Sequence, residues 1–284
     1  MLFFPFLFNI LYNVNFGLFS FNSFRLYNNL TNLIQYFNLI NKCYNPKIIV
    51  SLTSYKSRLL TINKIIDSIL NQTLKPNKII LTLFYKDYNL IPKKIKDYLI
   101  KKKIELIIVN IDIRPHKKYF FSMQKYPYDI IIVFDDDIIY EKNTIKSLYY
   151  HYLKYPDCVS ARRVHLIKYN KTNNKALTYN NWIKDYKLIK KPSFDLLATG
   201  VGGILYPPNI LKIHYSLIYE LFKCLTSDDL YLKYRENLFK IKIVWVPCKH
   251  LMGIKSLYIK GLYNSENKIN NDQCLENFKI KKLN

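Results

Sequence analysis

This sequence of 284 residues contains little cysteine and no paired cysteine motif. Its five cysteines are scattered and odd in number, and no CxxC occurs, so we expect neither a disulfide framework nor a zinc site. Cys248 and His250 would be half of a soft metal site, but the sequence has no partner pair for them. The default compartment is therefore a reducing cytosol.

An uninterrupted apolar run is also missing. The N-terminus is apolar and aromatic, but Pro5 and three asparagines break the roughly 20-residue span that a transmembrane helix needs. No lysine or arginine precedes Arg25, so the charged start of a secretory signal is lacking. We interpret residues 1–45 as an amphipathic appendage that either lies on a membrane surface or packs on the main domain, residues 46–284. The expected location is cytoplasmic, either free or peripheral on the inner face of the membrane.

Acidic residues are scarce, since 20 Asp and Glu face 44 Lys and Arg and the formal net charge is +24. The lysines are spread along the chain, and the densest patch before the C-terminus is Lys101–Lys103. Spread charge is weak evidence for nucleic-acid binding, so no nucleic-acid partner is expected. An anionic membrane surface and a phosphate-bearing ligand are both compatible with it.

Short apolar runs alternate with helical patterns from Pro46 onwards. This β-α-β-α-β order predicts an α/β fold with a mostly parallel central sheet, right-handed crossovers and flanking helices. In such sheets ligands bind beyond the carboxyl ends of the strands. The predicted strands are 47–52, 78–83, 104–109, 129–134 and 241–246.

Three consecutive carboxylates follow the fourth strand. Residues 130–134 of this strand are apolar throughout, which predicts burial on both faces, and Asp135, Asp136 and Asp137 come next. In extended backbone Asp135 and Asp137 share a face and can bind one Mg²⁺ or Mn²⁺, while Asp136 points away. The alternative is a solvated acidic turn, which a chain of such positive charge makes less favourable.

Two further segments are candidates for the same site. Half of the six glycines fall in Gly200–Gly203, which predicts a close backbone approach or a positive φ, in a structural turn or a substrate loop. Asp228 and Asp229 begin a helix after Thr226 and Ser227. There they either only stabilise the helix, by interacting with the positive end of its dipole, or also take part in the reaction. The polar tail from Ser265 is expected to be loosely ordered.

Four motifs occur in a fixed order: VSLTSY from Val50, DDDIIY from Asp135, ATGVGGILYPP from Ala198 and SDDLYLK from Ser227. Over about residues 46–250 this order resembles bacterial glycosyltransferases of polysaccharide synthesis that have the glycosyltransferase A fold, close to glycosyltransferase family 2. The short C-terminal part lacks the long acceptor domain and transmembrane helices of processive synthases. A single-sugar transferase is therefore expected.

The resemblance implies metal-dependent transfer of a sugar from a nucleotide-sugar donor to a hydroxyl of a glycan or lipid-linked acceptor, with inversion. Asp135 and Asp137 would bind Mn²⁺ or Mg²⁺, and His250 would either complete the metal shell or be structural. The residues implied in donor binding are Thr53, Ser54, Tyr55, Arg58, Lys117, Lys118 and Asp136. The acceptor-side loop would be Gly200, Gly202 and Gly203, and the base would be Asp228 or Asp229.

Two other functions remain open from the sequence. A nucleotidyltransferase on a related α/β fold would also use paired acids and Mg²⁺, but it usually carries a glycine-rich loop after the first strand, and residues 53–58 contain no glycine. A basic protein that binds nucleic acid or membranes without catalysis would have no use for carboxylates at the ligand edge of the sheet.

Overall fold

A computed structural model describes residues 45–248 and 267–283. Seven strands form one sheet in the order β3-β2-β1-β4-β8-β5-β9, and β6 and β7 form a separate pair. The strands are β1 Ile48–Thr53, β2 Lys78–Phe84, β3 Glu105–Val109, β4 Ile130–Val133, β5 Cys158–Ala161, β6 Val164–Leu166, β7 Leu196–Ala198, β8 Ile204–Tyr206 and β9 Lys242–Trp245.

The sheet is mainly parallel. Strands β1 to β4 pair in parallel, as do β5 and β9, whereas β8 runs antiparallel to both of its neighbours, β4 and β5. The predicted fold class, α/β with a mostly parallel central sheet, is therefore confirmed. Because the chain builds β1, β2 and β3 outward and then returns to place β4 on the other side of β1, the strand order reverses between β1 and β4. A crevice opens at such a reversal, outside the carboxyl ends of the strands.

Helices cover both faces of this sheet, and its side chains alternate between two cores. Ile49, Ile131 and Val133 belong to one core, and Val50 and Ile132 belong to the other. This alternation explains the apolar runs, since a strand buried on both faces has no polar side. The α-helices are α1 Ile62–Leu70, α2 Tyr85–Asn89, α3 Lys93–Lys101, α4 Lys117–Lys125, α5 Thr144–Lys154, α6 Ile218–Leu221, α7 Asp228–Leu238 and α8 Asn267–Phe278.

Short 3₁₀ helices connect several of these elements. They lie at Lys56–Thr61, Arg114–His116, Tyr179–Asn181, Gly200–Gly202, Tyr215–Leu217 and Phe222–Cys224. The first of them follows β1 directly, and the fourth contains most of the glycine loop. Both therefore help to shape the sheet edge where the site is expected.

Two expectations about the C-terminal part are wrong. Residues after Ser265 were expected to be loose, but α8 forms there and buries Cys274 and Leu275. Cysteine pairing was not expected, but Cys224 and Cys274 form a disulfide with their Cα atoms 5.1 Å apart. These cysteines are 50 residues apart in sequence, and only the packing of α8 beside Phe222–Cys224 brings them together.

Among the residues that the structure describes, no helix is long and apolar enough to cross a membrane. The segment predicted to be an amphipathic appendage, residues 1–44, lies outside the described residues, and so does His250.

Candidate active site

One cavity of about 790 Å³ opens where the loops after β1 and β4 meet. It lies at the strand-order reversal, as expected for a parallel α/β sheet. The predicted site residues that line it are Thr53, Ser54, Tyr55, Arg58, Lys117, Lys118, Asp135, Asp136, Asp137, Gly200, Asp228 and Asp229. Residues far apart in the sequence are thus brought to one place, although their individual roles remain predictions.

The acidic triplet follows β4 in a turn, not in extended backbone. Strand β4 ends at Val133, and Asp136 and Asp137 already belong to the turn. The rings of Phe134 and Tyr140 stack with their centroids 3.8 Å apart, and the Asp135 backbone N–H donates to the Tyr140 hydroxyl at 2.7 Å. This stack closes the turn, so the two-residue alternation of a strand does not apply here.

Arg58 holds two members of the triplet. Its Nη1 lies 2.6 Å from Asp136 Oδ1 and its Nη2 lies 3.1 Å from Asp137 Oδ2. The expectation that Asp135 and Asp137 share one face while Asp136 points to the other does not hold in this turn, because one guanidinium binds the carboxylates of both Asp136 and Asp137. Burial, and next the charge of Asp135, raise the pKa of Asp137 to about 6. The negative charge in this turn is thus only partly neutralised by Arg58.

Lys118 links the triplet to the first turn of α7. Its Nζ lies 2.9 Å from Asp135 Oδ1 and 2.7 Å from Asp228 Oδ2, and the side chain is buried. Burial alone would lower the pKa of Lys118, but Asp135 and Asp228, with Asp229, raise it well above its usual value. The lysine is therefore a fixed positive charge between two of the acids. It was expected to pair with a phosphate, and here it pairs with carboxylates.

The two acids at the start of α7 differ in their surroundings. Ser227 is the N-cap residue, but its hydroxyl contacts Asn271 and caps no backbone N–H of the helix. Asp228 pairs with Lys118, whereas Asp229 Oδ1 has no hydrogen-bond partner within the described part of the chain. Burial, followed by the charge of Asp228, raises the pKa of Asp229 well above its usual value. Asp229 therefore keeps an oxygen that no described donor occupies, whereas Asp228 is engaged by Lys118.

The segment before α4 is tied down by polar contacts. Lys117 Nζ pairs with Asp112, which also lines the cavity. The buried ring of His116 lies 2.7 Å from the Tyr119 hydroxyl through Nδ1 and 2.9 Å from the Cys224 carbonyl oxygen through Nε2. Since a carbonyl only accepts, Nε2 carries the proton. This contact joins the N-terminus of α4 to the loop that leads into α7.

The glycine loop contributes one residue to the cavity. A Cβ on Gly200 would lie 2.7 Å from Asp135 Oδ1 and 2.9 Å from Lys118 Nζ, so only glycine allows this approach. Gly203 has φ +86°, and its missing Cβ would strike the Phe134 ring. Gly202 packs on Arg162. Gly202 and Gly203 are not among the residues that line the cavity, and the acceptor-side role expected of this loop stays a prediction.

Sequence reasoning missed a further group of cavity residues. Arg163, His165, Tyr179 and Lys184 line the cavity from β6 and the loops around it, and Asn271 lines it from α8. Their segment shows neither helical nor strand periodicity, and the tail that contains Asn271 was expected to be loose. Only the prediction that the motifs share one sheet edge pointed to this region.

The acids fit a divalent cation that is shared with a phosphate ligand. Within residues 45–248 and 267–283, no three His, Cys, Asp or Glu side chains converge as ligands of one ion. Mg²⁺ and similar ions, however, are commonly held by one or two carboxylates while phosphate and water supply the other ligands. Asp135 and Asp137 can supply such carboxylates, since each pairs with a cation, Lys118 or Arg58, through one oxygen and both line the cavity.

Neither a protein-family model nor a curated protein matches this chain. Among solved structures, Staphylococcus aureus TarS 1-349 matches at 15% identity and TM-score 0.44, over 70% of this chain and 58% of that one. Glucosyl-3-phosphoglycerate synthase from Mycobacterium tuberculosis, solved with Mn²⁺, UDP and phosphoglyceric acid, matches at 13% sequence identity and TM-score 0.48. The match covers 86% of this chain and 82% of that one. HddC from Yersinia pseudotuberculosis matches at 12% sequence identity and TM-score 0.38, over 60% of this chain and 80% of that one. At this level of similarity, the fold assignment rests on the sheet order itself.

Proposed function

We propose that this protein is a glycosyltransferase that moves a sugar from a nucleotide-sugar donor to an acceptor hydroxyl. The observation that carries the proposal is the meeting of the acidic triplet and the acids of α7 at the strand-order reversal. The five carboxylates of these two groups line one cavity, and a binding module would gain nothing from collecting them there. Their sequence motifs resemble glycosyltransferases in the same order.

The donor diphosphate would lie against the acidic triplet. Asp135 and Asp137 would hold Mn²⁺ or Mg²⁺, which would neutralise charge that develops on the departing phosphate. Arg58 would fix the turn that presents both acids. Thr53, Ser54 and Tyr55, at the carboxyl end of β1, would contact the nucleoside.

The acids at the start of α7 would act on the acceptor. As the acceptor oxygen bonds to the anomeric carbon, the bond from that carbon to the diphosphate oxygen breaks, and the acceptor proton passes to Asp229. The nucleoside diphosphate leaves, and the configuration inverts. Asp228 is already held by Lys118, whereas Asp229 Oδ1 has no hydrogen-bond partner in the described part of the chain and can accept the proton, which favours Asp229 over Asp228.

The first experiment is a thermal-shift screen of nucleotide sugars with and without Mn²⁺, because a ligand that binds only the native state raises its stability. The matching donor should stabilise the wild-type chain in Mn²⁺ only. Asp137→Asn should abolish this shift and all transfer while it melts at or above the wild-type temperature, since a buried carboxylate with a raised pKa is replaced by a neutral amide.

Asp157→Asn is the matched control, because Asp157 is exposed and lies outside the cavity. It should retain both the donor shift and transfer. Asp229→Asn should keep the donor shift and lose transfer. Full activity of the Asp137 variant, or a donor shift that is the same without metal, would refute the proposal.

A further inference from the structure

A basic patch on the cavity wall has no role in the donor site described above. It consists of Arg163, just after β5, His165 in β6, and Lys184, and all three line the cavity. Lys184 Nζ lies 3.1 Å from the centroid of the Tyr179 ring and donates to the Tyr179 carbonyl oxygen at 2.6 Å. The ammonium group is therefore held in one place and is not a freely moving surface charge.

The two cations of this basic patch repel each other, and two acids, Asp185 and Asp272, lie beside them. Burial, and next the charge of Arg163, lower the pKa of Lys184 to about 8, although Asp272 and Asp185 act in the opposite direction. Burial, followed by Arg163 and Lys184, lowers the pKa of His165 to about 4, so the imidazole is neutral. Of these two acids, Asp185 is 46% exposed and already pairs with Arg163, and Asp272 accepts from the Tyr179 backbone N–H at 2.7 Å. An anion bound here would relieve the mutual repulsion of the cations.

Each member of the patch keeps hydrogen-bond donors for such an anion. His165 Nδ1 accepts from the Asp185 backbone N–H at 3.1 Å, which leaves the proton on Nε2. Arg163 contacts Asp185 through Nε and Nη2, so its Nη1 remains. Lys184 uses one of its three N–H groups on Tyr179. Two cations and a neutral donor match a phosphate group, which accepts several charge-assisted hydrogen bonds at once.

The patch adjoins the proposed base. The Thr199 backbone N–H donates to the Arg163 carbonyl oxygen at 3.1 Å, one residue before Gly200, whose backbone abuts Asp135. The positive charge of Arg163 acts directly on Asp229 and opposes the rise in its pKa. A ligand anchored on the patch would thus place a neighbouring hydroxyl beside Asp229.

We infer that the acceptor carries a phosphate group, bound by Arg163, His165 and Lys184, which directs its hydroxyl to Asp229. This inference rests on the proposed function. The phosphate belongs either to a water-soluble phosphomonoester or to a lipid headgroup, and both present the same oxygens to the patch.

Inorganic phosphate is the first probe, titrated by calorimetry into the full chain saturated with Mn²⁺ and UDP, or with the nucleoside diphosphate of whichever donor the thermal-shift screen identifies, so that the donor phosphate site is filled. The wild type should bind phosphate. Lys184→Gln should weaken this binding roughly tenfold to hundredfold, the effect of losing one charge-assisted hydrogen bond. Lys184→Arg should restore most of it, because the positive charge is kept.

Lys154→Gln is the matched control, since that lysine also lies over a tyrosine ring, 5.3 Å from the centroid of Tyr155, but lies outside the cavity. It should bind phosphate as the wild type does. UDP affinity in Mn²⁺, measured separately, should be the same in all four proteins. If Lys184→Gln weakens UDP binding and spares phosphate, the patch serves the donor and the inference is wrong.

Two further arms separate the sources of the phosphate. Glycerol 1-phosphate and glycerol are compared as soluble competitors of inorganic phosphate. Vesicles of phosphatidylglycerol in phosphatidylcholine are compared, as competitors of the same probe, with vesicles of phosphatidylcholine alone. Competition by the soluble ester or by the anionic vesicles supports the inference and identifies the source. If the nucleoside diphosphate of the matching donor binds and none of the phosphate probes does, this inference fails while the proposed function stands; if no nucleoside diphosphate binds with Mn²⁺, the proposed function itself fails.

Discussion

The Lys118 bridge makes a quantitative prediction about stability. This buried lysine neutralises Asp135 and Asp228 together, at 2.9 and 2.7 Å. Removing one partner of a buried ion pair typically costs about 3–5 kcal/mol, because the other charge remains buried without compensation. We expect Lys118→Met to lie near the lower limit, about 3 kcal/mol, since its carboxylates can take up protons. For a chain of this size that corresponds to a loss of roughly 6–12 °C in melting temperature.

The control lies on the same helix. Lys125 pairs with Glu105 at 2.9 Å, but its side chain is 54% exposed. Exposed ion pairs contribute about 0–1 kcal/mol, so Lys125→Met should melt within a few degrees of the wild type. Melting is followed by circular dichroism at pH 7.5 without metal and then with Mn²⁺.

Melting in the presence of Mn²⁺ tests whether these acids form a cation site. If the acids form a cation site, Mn²⁺ should restore much of the stability that Lys118→Met loses, because it replaces the missing charge. It should stabilise the wild type less. A Lys118 variant that melts with the wild type, or equal Mn²⁺ effects on both proteins, would show that this lysine does not balance the acids.

Two other predictions address the glycine loop and pH. Gly200→Ala should cut the Mn²⁺-dependent affinity for the donor's nucleoside diphosphate by about tenfold or more and also lower the melting temperature, because its Cβ displaces the ends of the paired Asp135 and Lys118 side chains. Gly203→Ala should be poorly folded, because its φ is +86° and its Cβ would overlap the Phe134 ring. Burial lowers the pKa of His116 to about 4, so the unfolded chain binds more protons between pH 6.5 and 4. The contribution of His116 to the free energy of unfolding should be constant above pH 6.5 and about 2 kcal/mol smaller at pH 5. Urea unfolding measures this fall, which should be shallower in His116→Gln.

The sheet and the position of the site were predictable because both depend on local patterns. Unbroken apolar runs located β1 to β4 to within one or two residues, since strands buried on both faces show no polar alternation. The acidic triplet was placed at the ligand edge because parallel strands all end there. Long-range knowledge was not needed for either prediction.

The remaining features depend on contacts between distant residues. The orientation of Asp136 follows from the stacking of Phe134 on Tyr140 and from Arg58, none of which a two-residue period encodes. Helix α8 has little apolar patterning, so its burial of Cys274 was not predictable. The same applies to Lys184, which belongs to an irregular segment.

Because of the Cys224–Cys274 disulfide, the presence of reducing agent during purification bears directly on the activity of the protein. The bond anchors the loop just before α7 to α8, the helix that carries Asn271. The carbonyl oxygen of Cys224 also accepts a hydrogen bond from His116 Nε2. Cleaving the bond with a thiol would remove the covalent link between α8 and the loop that positions Asp228 and Asp229, and leave only non-covalent contacts such as Asn277 Nδ2 to the Lys223 carbonyl oxygen. Samples purified with and without reducing agent are therefore two different starting materials for any kinetic comparison.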